Sequence, residues 1–236
     1  MKIETSPFIT KENKSFKKAS KLKILFYLIK KDKDKMLLKN YKKRFFNNFF
    51  NLFKSFFKNN HFHLKDNLYL HNLKSFDQIE SEIRSKENTF VFGFSYCQKP
   101  LSCPQKRFSD ICIFDNQNEN CKNCIIGKCK KTLNKEDILL IIPDISYISN
   151  KLFEISYKNT KKNIFFIITA CPMSIEMFSF ANILKIKGIG FPLEGRVCKN
   201  FKSFLFAEKG IKNSETYLSE KNETFLSKIL DLRHIN

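Results

Sequence analysis

Apolar positions in the second half of the chain form short continuous runs that alternate with helical patterns. The strand-like runs are residues 89–94, 137–142 and 163–168, with 188–191 as a short fourth candidate. Continuous apolar strands separated by helices are typical of a parallel sheet that is covered on both faces. We therefore expect an α/β fold with a small parallel sheet and helices on both faces.

Helical spacing of apolar residues fills the gaps between these runs. Residues 145–157 and 174–185 predict the helices that follow the second and third strands, and residues 78–86 predict a short helix before the first strand. Residues 36–57 also predict a helix, with eight apolar side chains at helical spacing and lysines beside them. This helix could lie on a membrane surface or a partner. We favour the alternative, in which its Phe face packs on the domain behind it.

Composition divides the chain near residue 88. Residues 1–87 contain no cysteine and form a basic, Phe-rich helical region. Residues 88–236 contain all eight cysteines, and we expect them to form a Cys-rich α/β metal-binding domain. The stretch between the first two strands is then a Cys-rich insertion in the sheet.

The net charge of +20 arises almost wholly from lysine, because only five of the 43 basic residues are arginine. Arginine supplies the bidentate contacts to phosphate and guanine that readers of nucleic acid use. A solvated lysine surface is therefore favoured, and binding to nucleic acid or to an acidic membrane surface is the weaker alternative. The sequence has neither a transmembrane segment nor a signal-peptide core, so a cytoplasmic location is expected.

The cysteines are clustered rather than dispersed. Six of the eight lie within residues 97–129, and the other two are Cys171 and Cys198. In a reducing cytoplasm such thiols stay reduced or bind metal, so metal binding is favoured over disulfides and over unliganded thiols. The candidate metal ligands are Cys97, Cys103, Cys112, Cys121, Cys124, Cys129, Cys171 and Cys198.

Strand order predicts where some of these cysteines meet. Cys97 follows the first strand, Cys171 follows the third, and Cys198 follows the possible fourth. Ligands of open α/β sheets bind beyond the carboxyl ends of the strands. We therefore expect the cysteines to converge on that edge of the sheet.

The spacing leaves the metal open. Cys121 and Cys124 form a single C-x2-C pair, whereas structural zinc sites often use two such pairs. None of the four histidines lies in the cysteine segment. All-cysteine ligation with irregular spacing favours an iron–sulfur cluster, with zinc as the alternative. Gly127 is expected to let backbone amides turn toward the sulfurs.

Catalytic groups are less clearly marked. Cys171 precedes Pro172 at a predicted helix start and could be a nucleophile, but no histidine is predicted nearby as a base. Asp144, Glu176 and Glu194 fall near strand ends, where helix caps and surface carboxylates are far more frequent than acid–base groups. The sequence therefore assigns no reaction, and whether the protein is an enzyme stays open.

The cysteine pattern resembles a family of cysteine-rich prokaryotic proteins classified only as a domain of unknown function. The resemblance covers about residues 88–200 and rests on Cys97, Cys103-Pro104, the triplet Cys121, Cys124 and Cys129 with Gly127, Ala170-Cys171 and Cys198. Ile125-Ile126 lengthen the last gap of the triplet, Cys112 is extra, and Tyr96 stands where a histidine is expected. The resemblance implies a metal-binding, iron–sulfur α/β protein and no particular reaction.

Together these patterns predict a cytoplasmic protein that carries an iron–sulfur cluster at the strand-end edge. Its role would be redox chemistry or electron transfer, which implies a redox partner protein. A zinc-stabilised module that binds nucleic acid or an acidic membrane surface through its lysines is the alternative.

Overall fold

The structure is a computed structural model that describes residues 8–9, 21–32, 34–57, 61–63, 68–159, 163–177, 184 and 186–234. Over these residues the strands are β1 (Phe8–Ile9), β2 (His61–His63), β3 (Tyr69–His71), β4 (Asn88–Ser95), β5 (Ile138–Ile142), β6 (Asn163–Ala170), β7 (Lys187–Pro192), β8 (Glu194–Gly195), β9 (Val197–Cys198) and β10 (Thr216–Tyr217). The helices are α1 (Lys21–Lys31), α2 (Met36–Lys42), α3 (Phe45–Phe57), α4 (Phe76–Arg84), α5 (Glu119–Asn123), α6 (Ile125–Thr132), α7 (Ile145–Lys158), α8 (Pro172–Met177), α9 (Phe201–Ala207) and α10 (Glu220–His234).

A six-stranded sheet forms the centre of the fold, in the order β2-β3-β7-β6-β4-β5. Strands β7, β6, β4 and β5 are parallel, while β3 pairs antiparallel with β7 and β2 pairs antiparallel with β3. In the register of β4, Phe92 lies between Leu139 of β5 and Ile167 of β6. The predicted α/β fold with a parallel sheet is confirmed, and the antiparallel edge extends it.

The strands are apolar at consecutive positions because both faces of the sheet are covered. On β4, Phe90, Phe92 and Phe94 join a core with residues of α4, α6, α9 and α10. Val91, which points to the opposite face, joins a second core with residues of α7 and α8. Successive side chains of a strand point to opposite faces, so a strand in this position must be apolar at every position.

The N-terminal helical region differs from its prediction. The expected helix over residues 36–57 is two helices, α2 and α3, which are separated at Lys43 and Arg44. Side chains bind the last carbonyls of α2: the Asn48 amide donates to the Tyr41 oxygen at 2.7 Å. Carbonyls occupied in this way do not continue the ladder of the helix, which explains the break.

The Phe-rich face of α3 is largely exposed. The exposed fraction is 48% for Phe45, 76% for Phe46, 48% for Phe49, 60% for Phe50 and 58% for Phe53. The favoured interpretation, that this face packs on the domain behind it, is wrong for these five residues. The helix is instead attached through Asn48, which is buried and hydrogen-bonded to Tyr41 on α2.

The division near residue 88 stays a prediction, although β3 and the parallel strands belong to one sheet. The predicted helix at 78–86 is α4. The predicted helix at 174–185 begins as α8, and residues 178–183 and 185 lie outside the described part of the chain. Over the described ranges, none of the helices has the length and apolar character needed to span a membrane.

Candidate metal centre

Four cysteines line one small cavity beyond the carboxyl end of β4. The chain leaves β4 through a short 3-10 turn at Tyr96–Gln98 and then folds into an irregular loop that leads to α5 and α6. Cys103, Cys112, Cys121 and Cys124 surround a cavity of about 20 Å³ together with Lys99. Space of this size accommodates about one water molecule or one ion.

Two short helices position the C-x2-C pair. Cys121 lies in α5, and Cys124 ends α5 and begins α6, with its backbone N–H bonded to the Cys121 oxygen at 3.3 Å. The N–H groups of Gly127 and Ile126 donate to the Cys124 sulfur and partly offset the rise in its pKa that burial causes. The expectation for Gly127, that amides there turn toward a sulfur, is confirmed.

Close packing around Gly127 leaves no room for a side chain. A Cβ at this position would lie 2.6 Å from both the Cys121 oxygen and a ring carbon of Phe114. The glycine therefore allows α6 to approach the wall of the cavity that α5 and Phe114 form.

Lys99 is a buried cation at the floor of the cavity, with 2% of its surface exposed. Its ammonium group donates to the Lys106 oxygen at 2.8 Å, the Ser109 hydroxyl at 2.8 Å and the Ile111 oxygen at 2.9 Å. These hydrogen bonds hold the segment between Cys103 and Cys112 around the Lys99 ammonium group. Burial lowers the pKa of Lys99, and the nearby thiols Cys103, Cys112 and Cys124 oppose that shift.

Arg107 ties the same loop to the rest of the protein. Its guanidinium donates to the Lys99 oxygen at 3.0 Å and to the Cys97 oxygen at 2.8 Å. It also donates to the backbone oxygens of Lys212 and Ser214, in the segment before β10. Arg107 thereby joins the loop of the cavity to the strand-end residues and to the C-terminal part of the chain.

Burial weakens the acidity of several thiols around the cavity. It raises the pKa of Cys112, although the nearby Lys130 ammonium lowers it. Cys129 lies on α6 with 1% exposure, and burial raises its pKa to about 12. It belongs to the core cluster of the sheet. Metal binding at Cys112 or Cys124 would release a proton from each thiol.

A second group of cysteines lies at the strand-end edge. Cys97 follows β4, Cys171 follows β6, and Cys198 ends β9; all three are buried. Cys171 Sγ lies 3.0 Å from Ser174 Oγ. The Cys198 side chain is the main cause that lowers the pKa of Cys171 to about 6, and the Cys171 side chain is the main cause that raises the pKa of Cys198. All three belong to one core cluster of the sheet. Their convergence on a common site and their role as metal ligands stay predictions.

The eight predicted ligands thus fall into a cavity group of four, a strand-end group of three, and Cys129 by itself. Among the residues that the structure describes, no three His, Cys, Asp or Glu side chains converge closely enough to hold a metal ion. The four cavity thiols surround a common space without such convergence. His71, the histidine whose side chain the structure describes, lies in β3, and its ring packs against Phe166.

Of the candidate acid–base residues, Asp144 has a structural role. The Asp144 side chain accepts the Tyr147 N–H at 2.8 Å and caps α7, and it pairs with Lys31 at 3.1 Å. Glu194 lies in β8, away from the cavity, and the side chain of Glu176 lies outside the described residues. The signal for Asp144 was its position before a helix, which is typical of a cap.

Lys99 and Glu208 were missed by the sequence analysis. A lysine or arginine in a basic chain gives no signal of burial, since such residues are usually exposed. Glu208 is buried beside Lys31, at the meeting point of α1, α7 and α9. Only the fold brings these elements together.

Comparisons with protein-family models, curated proteins and solved structures found no match. The resemblance to the cysteine-rich family therefore stays a prediction.

Proposed function

We propose that the protein binds an iron–sulfur cluster through Cys103, Cys112, Cys121 and Cys124 and uses it for electron transfer with a redox partner protein. The observation that carries this proposal is the cavity that these four thiols line. Cysteine thiolates are the usual ligands of iron–sulfur clusters, and four of them complete a site.

All-cysteine ligation with irregular spacing favours a cluster over a single zinc ion. Four thiolates on one zinc, at Zn–S distances of about 2.3 Å, must approach one another to within about 4 Å. In a four-iron cluster each thiolate bonds a different iron, so the sulfurs surround a larger space. The four thiols line a cavity of about 20 Å³, which has room for one ion. A cluster exceeds the present volume of about 20 Å³, so its insertion requires the loop to move outward.

The loop that would have to move lies at the surface. Ile111 and Ile113, on either side of Cys112, are 52% and 60% exposed. Lys99 and the amides at Cys124 would face the added negative charge of the bound thiolates. Hydrogen bonds to cluster sulfurs and nearby positive charge favour the reduced state of a cluster, so these groups would raise its reduction potential.

Absorption spectroscopy of full-length protein reconstituted anaerobically with iron and sulfide tests the proposal. We expect a broad visible absorption that dithionite bleaches. Cys103→Ser and Cys121→Ser should lose most of this absorption. Cys129→Ala is the matched control, since it removes a buried thiol of α6 that lies outside the cavity lining. Equal loss in the control, or zinc binding without cluster formation, would contradict the proposal.

A second candidate function is binding to an acidic membrane surface through α3. The five exposed phenylalanines favour it, and exposed Lys42, Lys43, Arg44 and Lys54 lie beside them. An interfacial helix combines such an apolar face with basic residues that attract anionic lipids.

Sedimentation with phosphatidylserine vesicles tests this candidate. The double variant Phe46→Ser/Phe50→Ser should lose most vesicle binding without loss of stability, because both side chains are exposed. Ile211→Ser is the control, as it removes a similarly exposed apolar side chain elsewhere. Unchanged binding of the double variant would exclude α3 as the membrane contact.

A further inference from the structure

We propose that the groove between α1, α2, α3 and α7 binds one long-chain fatty acid, with its alkyl chain inside the groove and its carboxylate at Lys35. The groove is separate from the cysteine cavity, so the proposal does not depend on cluster binding. It assigns a small-molecule site to the N-terminal helices, for which the sequence pattern predicted only a packing or surface role.

The size and the lining of the groove match an apolar chain. Its volume is about 580 Å³, within the range of roughly 300 to 1,000 Å³ that is usual for small-molecule sites. All four helices contribute apolar side chains to the wall, among them Leu28, Leu37, Phe49, Ile148, Leu152 and Phe153. Leu28, Ile148 and Leu152 are each 4% exposed, so packing holds the inner wall in place. The Ser149 hydroxyl in this wall donates to the Ile145 oxygen at 2.7 Å, within α7.

The charged groups of the lining leave one cation at the rim. Both carboxylate oxygens of Asp32 accept backbone N–H groups, from Leu37 and from Leu38, each at 2.9 Å. Lys35 lines the groove and is exposed. Its backbone is held at both ends, since its N–H donates to the Asp32 oxygen at 3.0 Å and its carbonyl accepts the Lys39 N–H at 2.8 Å. A cation beside an apolar groove is complementary to a ligand with an apolar chain and one anionic end.

The charge of the surrounding helices favours the same occupant. Residues 21–57 contain eleven Lys or Arg residues and two Asp residues. This excess attracts an anionic amphiphile more strongly than a neutral one. It also opposes a second copy of the chain on the groove, because two such surfaces repel each other.

Displacement of cis-parinaric acid, a fluorescent fatty acid, from delipidated full-length protein tests the site. We expect saturable binding of one molecule per chain and competition by tetradecanoate. Each further methylene that enters the groove should strengthen binding about fourfold, so affinity should rise steeply from decanoate to tetradecanoate.

Ser149→Trp tests whether the groove itself holds the chain. An indole at this position of α7 would fill the groove, so binding should fall at least about tenfold. Ser156→Trp is the matched control, because it places the same side chain about two turns further along α7, outside the groove lining. The double variant Phe46→Ser/Phe50→Ser should retain binding, since neither phenylalanine lines the groove. This result separates the groove from the exposed face of α3.

Lys35→Asn tests the position of the carboxylate. Lys35 has a φ of 54°, and asparagine tolerates this left-handed conformation while removing the charge. The variant should bind tetradecanoate about two- to fivefold more weakly and tetradecanol as tightly as the wild type does. Lys39→Asn, which changes an exposed lysine of α2 outside the lining, should bind both as the wild type does.

Four results would overturn the proposal. They are the absence of saturable binding to the wild type, unchanged binding by a Ser149→Trp variant of wild-type melting temperature, equal losses of acid and alcohol binding in Lys35→Asn, and a wild-type dimer that binds no fatty acid and becomes a monomer in Ser149→Trp. The last result would assign the groove to a second copy of the chain. Lys35→Asn decides the question if Ser149→Trp does not fold, because Lys35 is exposed.

Discussion

Glu208 provides a pH-dependent test of how the first helix is held to the fold. Its carboxylate accepts the Ile145 N–H at 3.1 Å, the Tyr27 hydroxyl at 3.2 Å and the Lys31 ammonium at 3.1 Å. Asp144, which also pairs with Lys31, adds negative charge beside it. Burial is the main cause that raises the pKa of Glu208 from 4.5 to about 7, and Lys31 opposes that rise.

The direction in which pH changes the free energy of unfolding follows from the pKa of Glu208 in the unfolded and in the folded state. Below about pH 4.5 the Glu208 carboxyl is protonated in both the folded and the unfolded state. Between about pH 4.5 and 7 the unfolded chain ionises while the folded chain stays protonated, so the free energy of unfolding falls as the pH rises. The total loss is about 3 kcal/mol, because one pKa unit corresponds to 1.36 kcal/mol and the shift is about 2.5 units.

Glu208→Gln removes the titration while keeping the size of the side chain. We expect urea unfolding, followed by circular dichroism at pH 5 and pH 8, to show a pH-dependent loss of stability that is about 2 to 3 kcal/mol smaller in the variant than in the wild type. Glu220→Gln is the control, because that carboxylate is exposed. The reasoning is refuted if Glu208→Gln retains the pH dependence of the wild type.

Three further substitutions test the packing that surrounds the cavity and the sheet. Gly127→Ala places a Cβ 2.6 Å from the Phe114 ring, so it should lower the free energy of unfolding by about 1 to 3 kcal/mol in urea titrations. Lys99→Met removes a donor from three part-buried oxygens and should cost about 1 to 3 kcal/mol in the same assay. Gly188→Ala places a Cβ 2.1 Å from the Phe166 oxygen and should cost at least about 2 kcal/mol, seen as a lower melting temperature.

For each of these substitutions, one measured stability would contradict the predicted loss. Lys128→Met removes an exposed lysine of α6 and should be nearly neutral, so a Lys99→Met variant as stable as this control would exclude Lys99 as the centre of the loop. Wild-type stability of Gly127→Ala or Gly188→Ala would show that the packing relaxes around the added methyl group.

The sheet could be predicted because its four parallel strands are buried on both faces. Such strands must be apolar at consecutive positions, and the runs at β4, β5 and β6 stand out in the sequence for that reason. The strands β2 and β3 have three residues each, which is too short for a recognisable pattern of apolar positions. Their place at the antiparallel edge depends on pairing with β7, which no local pattern specifies.

The placement of Cys97 and Cys171 just after β4 and β6 could also be predicted, since parallel strands end at one edge of a sheet. The separate grouping of Cys103, Cys112, Cys121 and Cys124 could not. The hydrogen bonds that Lys99 and Arg107 donate to backbone oxygens determine the path of the loop that carries them. Those bonds depend on burying Lys99 and partly burying Arg107, and the sequence does not distinguish these two cations from the many exposed lysines around them.

The exposed Phe face of α3 shows a further limit of periodicity. Helical spacing of Phe45, Phe49 and Phe53 predicts an apolar face but not what covers it. The polar residue Asn48 makes the attachment instead, through hydrogen bonds to Tyr41 and Tyr157. A hydrogen bond between a polar side chain and a distant helix leaves no periodic trace in the sequence.

Metal and sulfide analysis of the anaerobically purified full-length protein tests the central claim most directly. The four-thiol cavity predicts iron and acid-labile sulfide in similar amounts, both lost when Cys121 is replaced by serine. Zinc without sulfide, or iron and sulfide that persist in Cys121→Ser, would contradict the assignment of a cluster to this cavity.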